Sequence, residues 1–175
     1  MRLSALKHLI EATQALGHPQ RIRVLGSSAL LASFPALGEP GQPLELSYDA
    51  DLLIEPCDEQ LAAMLHEAVG EGSLFAQRTG YHADFLRPDI LESLPAGWEL
   101  EMVRLEGIAN ASALAPADVA AVKLHLGRPK DLQLCHHLIA AGLVAPDAIR
   151  RRLDAMTLVE SEVVCVFARL EDAAR

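Results

Sequence analysis

Strand-like apolar runs end at residue 114, and beyond it every patterned segment of the chain reads as a helix. That order constrains the fold more than any other feature. Strands gathered early, with helices alone at the end, point to an α+β protein. The expected form is a small mixed β-sheet flanked by helices, with a helical C-terminal part. Leu3, Leu6, Leu9, Ile10 and Leu16 recur at helical spacing, and Gly17 and Pro19 end that helix. Ile22, Val24 and Leu25 predict a short strand, Gly26 and Ser27 a turn, and Ser28 to Phe34 a short helix. Three prolines and two glycines make 35–45 a loop. "LSYDADLLIE", residues 46–55, reads as a strand closed by Pro56. A helix capped by Asp58 and closed by Gly70 follows. Residues 73–87 read as extended chain with a turn at Thr79-Gly80, 94–108 as a turn and a strand, and 110–114 as another short strand. Four helices complete the chain, Pro116 and Pro129 opening the first two. The expected organisation is a domain over residues 1–145 with a helical extension, 146–175, packed on it.

Composition bounds the function. The 175 residues suffice for one domain with a real core. Aromatic residues make up only 4%, so Leu, Ala and Val must fill that core. A net charge of −9 gives no global attraction to nucleic acid, which leaves only a local basic patch, such as Arg150 to Arg152, for an RNA contact. Three widely spaced cysteines without a CxxC fit a reducing cytoplasm and give no support to a structural zinc. Lys7, His8 and Glu11 interrupt the first helix, which therefore reads as neither a signal peptide nor a membrane span. A soluble cytoplasmic protein is expected.

Two short motifs carry chemistry. Side chains alternate faces along a strand, so Asp49 and Asp51 point the same way. Two carboxylates this close repel unless something neutralises them, and Mg2+ or Mn2+ suits such a pair. Earlier in the chain, a strand runs into Gly26-Ser27 and a short helix. A glycine lets backbone approach a ligand, a helix start offers N–H groups, and Ser27 and Ser28 add hydroxyls, which together suit a phosphate. Each motif alone has a plain explanation, a common turn and a solvated strand end. Their order is what raises their meaning: strand, Gly-Ser, helix, loop, then Asp-x-Asp before an apolar run.

That combination, "VLGSSAL" followed by "YDADLLI", resembles the DNA polymerase beta-like nucleotidyltransferase superfamily. Downstream, "LAPADVAAVKLHLGRPKDLQLCHHLIAAGLV" looks like a segment of minimal bacterial nucleotidyltransferase-like families, among them the DUF6036 group and relatives of the AbiEii toxins. "LPAGWE" is similar to a turn of the DUF6036 group. The resemblance covers roughly residues 20 to 145. It implies a magnesium-dependent transfer of a nucleoside monophosphate from a nucleoside triphosphate to a hydroxyl of RNA, protein or a small molecule, in a possible toxin–antitoxin setting with tRNA or a protein as acceptor. Asp49 and Asp51 map onto the metal pair. A third carboxylate on a neighbouring strand is implied; Asp84 in "HADFL" is the first choice, with Glu99 and Glu101 as alternates. Gly26, Ser27 and Ser28 map onto the nucleotide side, and Lys123, Arg128 and Lys130 onto phosphate neutralisation.

Other residues read more plainly. Lys123 within an apolar helix is expected to snorkel. Cys135, His136 and His137 are consecutive on a helix and diverge, so they close on no ion. His82 would share a strand face with Asp84. Apolar residues between 143 and 170 exceed what a small core needs, which points to a homodimer or a partner protein. The main alternative to catalysis is a nucleotidyltransferase-like fold retained as a nucleotide-binding or protein-interaction module.

Overall fold

Asp49–Glu55, seven residues, is the longest strand of the computed structural model, which describes residues 1–175. The chain is α+β, as its sequence order predicts. It divides into two compact units, one of Met1–Pro88 with Met102–Leu114, the other of Asp89–Glu101 with Ala115–Arg175. Residues 89–101 leave the strand-bearing part of the chain for the helical one, and from Ala115 onward the chain stays in the helical unit.

The first unit contains α1 (Leu3–Gly17), β1 (Arg21–Val24), β2 (Asp49–Glu55), α2 (Glu59–Val69), α3 (Leu74–Thr79), β3 (His82–Phe85), β4 (Val103–Arg104) and β5 (Ala111–Ala113). Its mixed sheet has the order β3-β2-β1-β5-β4. β2 runs antiparallel to β1 and parallel to β3, and β1 runs parallel to β5. Alternation along β2 buries Ala50, Leu52 and Ile54 on one face, and Ile22 and Val24 of β1 join them. The apolar stripe of α1, Leu6, Leu9 and Ile10, is fully buried. The opposite face of β2 carries Asp49 and Asp51.

Two local readings change. Residues 74–79 form a helix, not extended chain. Ser73 Oγ caps it by accepting from Ala76 N–H at 3.1 Å, and Gly80 closes it in the left-handed region at φ 82°. Those two caps outweigh the weak alternation of the segment. Within 94–108 the expected strand shrinks to Val103–Arg104, because Trp98–Glu101 forms a helical turn.

The second unit contains that turn, α4 (Trp98–Glu101), and the helices α5 (Pro116–Leu126), α6 (Pro129–Ala140), α7 (Pro146–Asp154) and α8 (Glu160–Ala173). Its core is Val119, Ala120, Leu124, Cys135, Leu138, Ile149, Leu153, Val166 and Leu170. Three charged residues lie inside it. Asp118 is fully buried against Arg152 Nε, and Arg152 also donates to the carbonyls of Pro95 and Ala96, which ties residues 95–96 to α7. Asp131, 1% exposed, sits 3.0 Å from Lys123 Nζ and 2.5 Å from Arg128 Nε. Lys123 does not snorkel, because its ammonium has a buried carboxylate to meet. Of the apolar surplus expected beyond residue 143, Val144, Ile149, Leu153 and Val166 are core, while Val159, Val163 and Val164 remain exposed. No helix is long and apolar enough to cross a membrane.

Candidate metal centre

β2 lies between β1 and β3, so each side chain on its polar face has a cross-strand neighbour. The parallel register sets Asp51 opposite Asp84 and Asp49 opposite His82. Residues directly opposite share a face. Asp49, Asp51, Asp84 and His82 therefore form one patch. One ligand oxygen from each of the three aspartates lies within 4.8 Å of the other two. Asp49 is exposed, and Asp51 and Asp84 are half-buried. Of the three candidates for a third acid, Asp84 is the one that lies in this patch. Glu99 and Glu101 lie on the turn α4, in the second unit.

The donor set fits a hard divalent cation. All three groups are carboxylates, and octahedral Mg2+ with oxygens at about 2.1 Å spans about 4 Å between opposite ligands. Three carboxylate oxygens within 4.8 Å of one another are near enough for one such ion to be shared among them. Two polar neighbours lie beside the carboxylates. Ser47 Oγ donates to Asp49 Oδ1 at 3.4 Å, and His82 Nε2 lies 3.7 Å from Asp84 Oδ1. Sequence reading passed over Ser47; its spacing of two residues before Asp49 was the available signal. It also passed over the neighbouring cluster on β1 and β2, where Arg21 and Arg23 pair with Glu55 at 3.2 and 2.7 Å. Arg-x-Arg opposite Glu55 is the period-two signature of that cluster.

The glycine turn sits against the acids. Gly26 follows β1 and lies so close to Asp51 that a Cβ on it would be 1.6 Å from Asp51 Oδ2. The short helix expected at 28–34 is a 3-10 segment, Ser27–Ala32. A six-residue 3-10 segment has little macrodipole, so it gives a phosphate less than the sequence suggests. Ser27 is half-buried. Ser28 is 2% exposed and its Oγ lacks a hydrogen-bond partner, so this hydroxyl is enclosed rather than offered to a ligand. A buried unpaired hydroxyl costs about 1–3 kcal/mol.

The structure thus brings together Asp49, Asp51, Asp84 and the Gly26-Ser27-Ser28 turn within the first unit. Lys123, Arg128 and Lys130 belong to the second. There Lys123 and Arg128 hold Asp131, and Lys130 is exposed in the first turn of α6. Burial is the largest influence on the Asp131 carboxyl and pushes its pKa up. Hydrogen bonds from Arg128 and Lys123, with their charges, outweigh burial and hold it below the ordinary aspartate range. Cys135 is no nucleophile: burial pushes its thiol up to about 12, and Sγ is directed at the Ala120 carbonyl at 3.6 Å. His136 Nδ1 lies 3.1 Å from the Ala173 carbonyl, a structural contact at the end of α8. A cavity of about 330 Å³ in the second unit is lined by His125, Ser161, Glu162, Cys165, Val166 and Arg169. It holds no cluster of metal-ligating groups.

Searches against protein-family models, curated proteins and solved structures find nothing that matches this chain, so the reading of the site rests on its own geometry.

Proposed function

We propose that this protein is a divalent-cation-dependent nucleotidyltransferase that moves a nucleoside monophosphate from a nucleoside triphosphate to a hydroxyl acceptor. The observation that carries the proposal is the three-carboxylate patch, built by two adjacent parallel strands beside a glycine turn. A carboxylate triad of this kind suits phosphoryl chemistry, where catalysis is mostly positioning and charge stabilisation. Asp49 and Asp51 would hold the cation, with one oxygen of Asp84 as the third ligand. A cation bound there would supply neutralisation of the triphosphate charge near the α-phosphorus. Asp84, at the edge of the patch, accepts the proton of the attacking hydroxyl or orients it. The acceptor oxygen forms a bond to the α-phosphorus, the α–β bridging bond breaks, and pyrophosphate leaves with the electron pair. The backbone at Gly26-Ser27 lines the phosphate side of the patch. RNA, a protein hydroxyl or a small molecule is the acceptor class, and the toxin–antitoxin setting belongs to the same proposal.

One observation favours a second reading. Two of the three cations expected to meet the triphosphate, Lys123 and Arg128 but not Lys130, are engaged by Asp131. A fold that binds nucleotide without transferring it, or that serves a partner protein or a second copy through exposed Val159, Val163 and Val164, accounts for that arrangement.

The test is calorimetric titration of a non-hydrolysable nucleoside triphosphate with Mg2+ into wild type and into Asp49→Asn/Asp51→Asn. Metal-dependent binding that the double variant loses supports the proposal, and transfer assays with labelled nucleotide then separate the two readings. Absence of binding by folded wild type sinks the nucleotide site.

A further inference from the structure

We propose that residue 26 is glycine because Asp51 needs the space, which makes Gly26 a positioning residue for a cation-binding carboxylate. The inference rests on reading Asp49, Asp51 and Asp84 as a divalent-cation site.

Backbone freedom does not explain this glycine. Its φ of −63° is negative, so this is not a left-handed position of the kind that calls for glycine. Space does explain it. A Cβ at Gly26 would lie 1.6 Å from Asp51 Oδ2, 2.7 Å from Cγ and 3.2 Å from Cβ. The chain on both sides of Gly26 is held. Leu25 N–H donates to the Asp51 carbonyl at 2.9 Å, and the Gly26 carbonyl accepts from Ala29 N–H at 3.1 Å. One residue earlier, Val24 is in register with Leu52 on one side and Ala113 on the other. With the backbone hydrogen-bonded on both sides, an added methyl meets the Asp51 side chain alone, and its carboxylate is the group that has to shift. A short side chain relieves the clash by changing rotamer about χ1. Its own Cβ, 3.2 Å away, needs a shift of only a few tenths of an ångström, and the fold survives. Turned off Gly26, the Asp51 carboxylate leaves Asp49 and Asp84, and three ligands become two.

The experiment measures Mn2+ affinity, by the electron-paramagnetic signal of the free ion, and thermal unfolding in chelator. The proteins are wild type, Gly26→Ala, Asp51→Ala and the double variant. Gly26→Ala is expected to unfold cooperatively near the wild-type temperature and to bind Mn2+ about 10- to 100-fold more weakly. Added to Asp51→Ala it should change neither quantity, since the carboxylate it displaces is gone. If Gly26→Ala fails to fold alone, Asp51→Ala should restore folding by returning the space. Unchanged Mn2+ affinity in a folded Gly26→Ala overturns the inference and leaves the cation site standing. So does a further loss of affinity in the Asp51→Ala background, or failure of that background to rescue folding. Wild type that binds no Mn2+ removes the site and the inference together.

Discussion

Asp131 in the helical unit and Asp84 in the sheet unit both face charge at close range, but of opposite sign. Asp131 is fully buried and has Lys123 Nζ at 3.0 Å and Arg128 Nε at 2.5 Å. Asp84 is half-buried and shares its face with two other carboxylates within 4.8 Å, with an imidazole at 3.7 Å. The difference is one of purpose. A buried acid neutralised by its own chain holds helices together; acids that share a strand face repel one another, and in the proposed function a divalent cation offsets that repulsion. Two like charges at 4 Å repel by about 1 kcal/mol in water and about 4 kcal/mol near a protein surface. In the sheet unit the register of β2 and β3 sets Asp51 opposite Asp84 on adjacent strands.

The comparison is broken or sharpened first at Asp131. Asp131→Asn leaves the Lys123 ammonium buried without its counter-charge, and urea unfolding should show a loss of about 3–5 kcal/mol. An unchanged midpoint would mean that the helical unit does not depend on its ion pairs.

Acid titration comes next. The Asp131 carboxyl is held below its ordinary value, so the stability it contributes is present above about pH 3.9 and lost as pH falls through its folded value. Asp118 has the opposite sign. Burial, the largest influence, raises its carboxyl, Glu101 adds to the rise, and the hydrogen bond and charge of Arg152 offset only part of it. Its contribution is present below about pH 3.9 and is lost as pH rises through its folded value. Replacing the pair, Lys123→Met with Asp131→Leu, should flatten the melting-temperature fall from pH 5 to pH 3. An equally steep fall assigns the acid limb elsewhere.

A smaller effect is expected at Gly127, which follows α5 in the left-handed region at φ 66°. A Cβ there would meet the Arg169 guanidinium at 2.2 Å. Arg169 Nη1 donates to the carbonyls of Leu124 and His125 at 2.7 and 2.8 Å, closing the end of α5. Gly127→Ala should cost about 1 kcal/mol from backbone strain, and more if the arginine is expelled. Calorimetric melting of this variant measures it, and a neutral result would show that the end of α5 adapts.

What could be read from sequence follows from the range of each interaction. Asp49 and Asp51 were legible because a strand's period of two places them on one face whatever surrounds it. Asp84 was legible as a candidate for the same reason, flanked by apolar neighbours in "HADFL". Its register opposite Asp51 was not, since the crossover through α2 and α3 sets it. The contact between Gly26 and Asp51 spans two strands and a long loop, and no local pattern announces it. Lys123 and Asp131 stand on consecutive helices, and only the turn at Gly127 and Arg128 decides that they meet. Glu99 and Glu101 looked like strand residues, but the Pro-Ala-Gly-Trp turn winds on into a helical one.

The central claim is that Asp49, Asp51 and Asp84 are held together at a cost that a divalent cation repays. It is tested most directly by the unfolding free energy of wild type and Asp84→Asn in chelator and in excess Mn2+. In chelator, Asp84→Asn should be more stable than wild type by about 0.5–1 kcal/mol, because a repulsive charge is gone. In Mn2+ at about 100 times its dissociation constant, wild type should gain about 2.7 kcal/mol and overtake the variant. A variant that is less stable than wild type in chelator, with neither protein responding to Mn2+, would contradict the account.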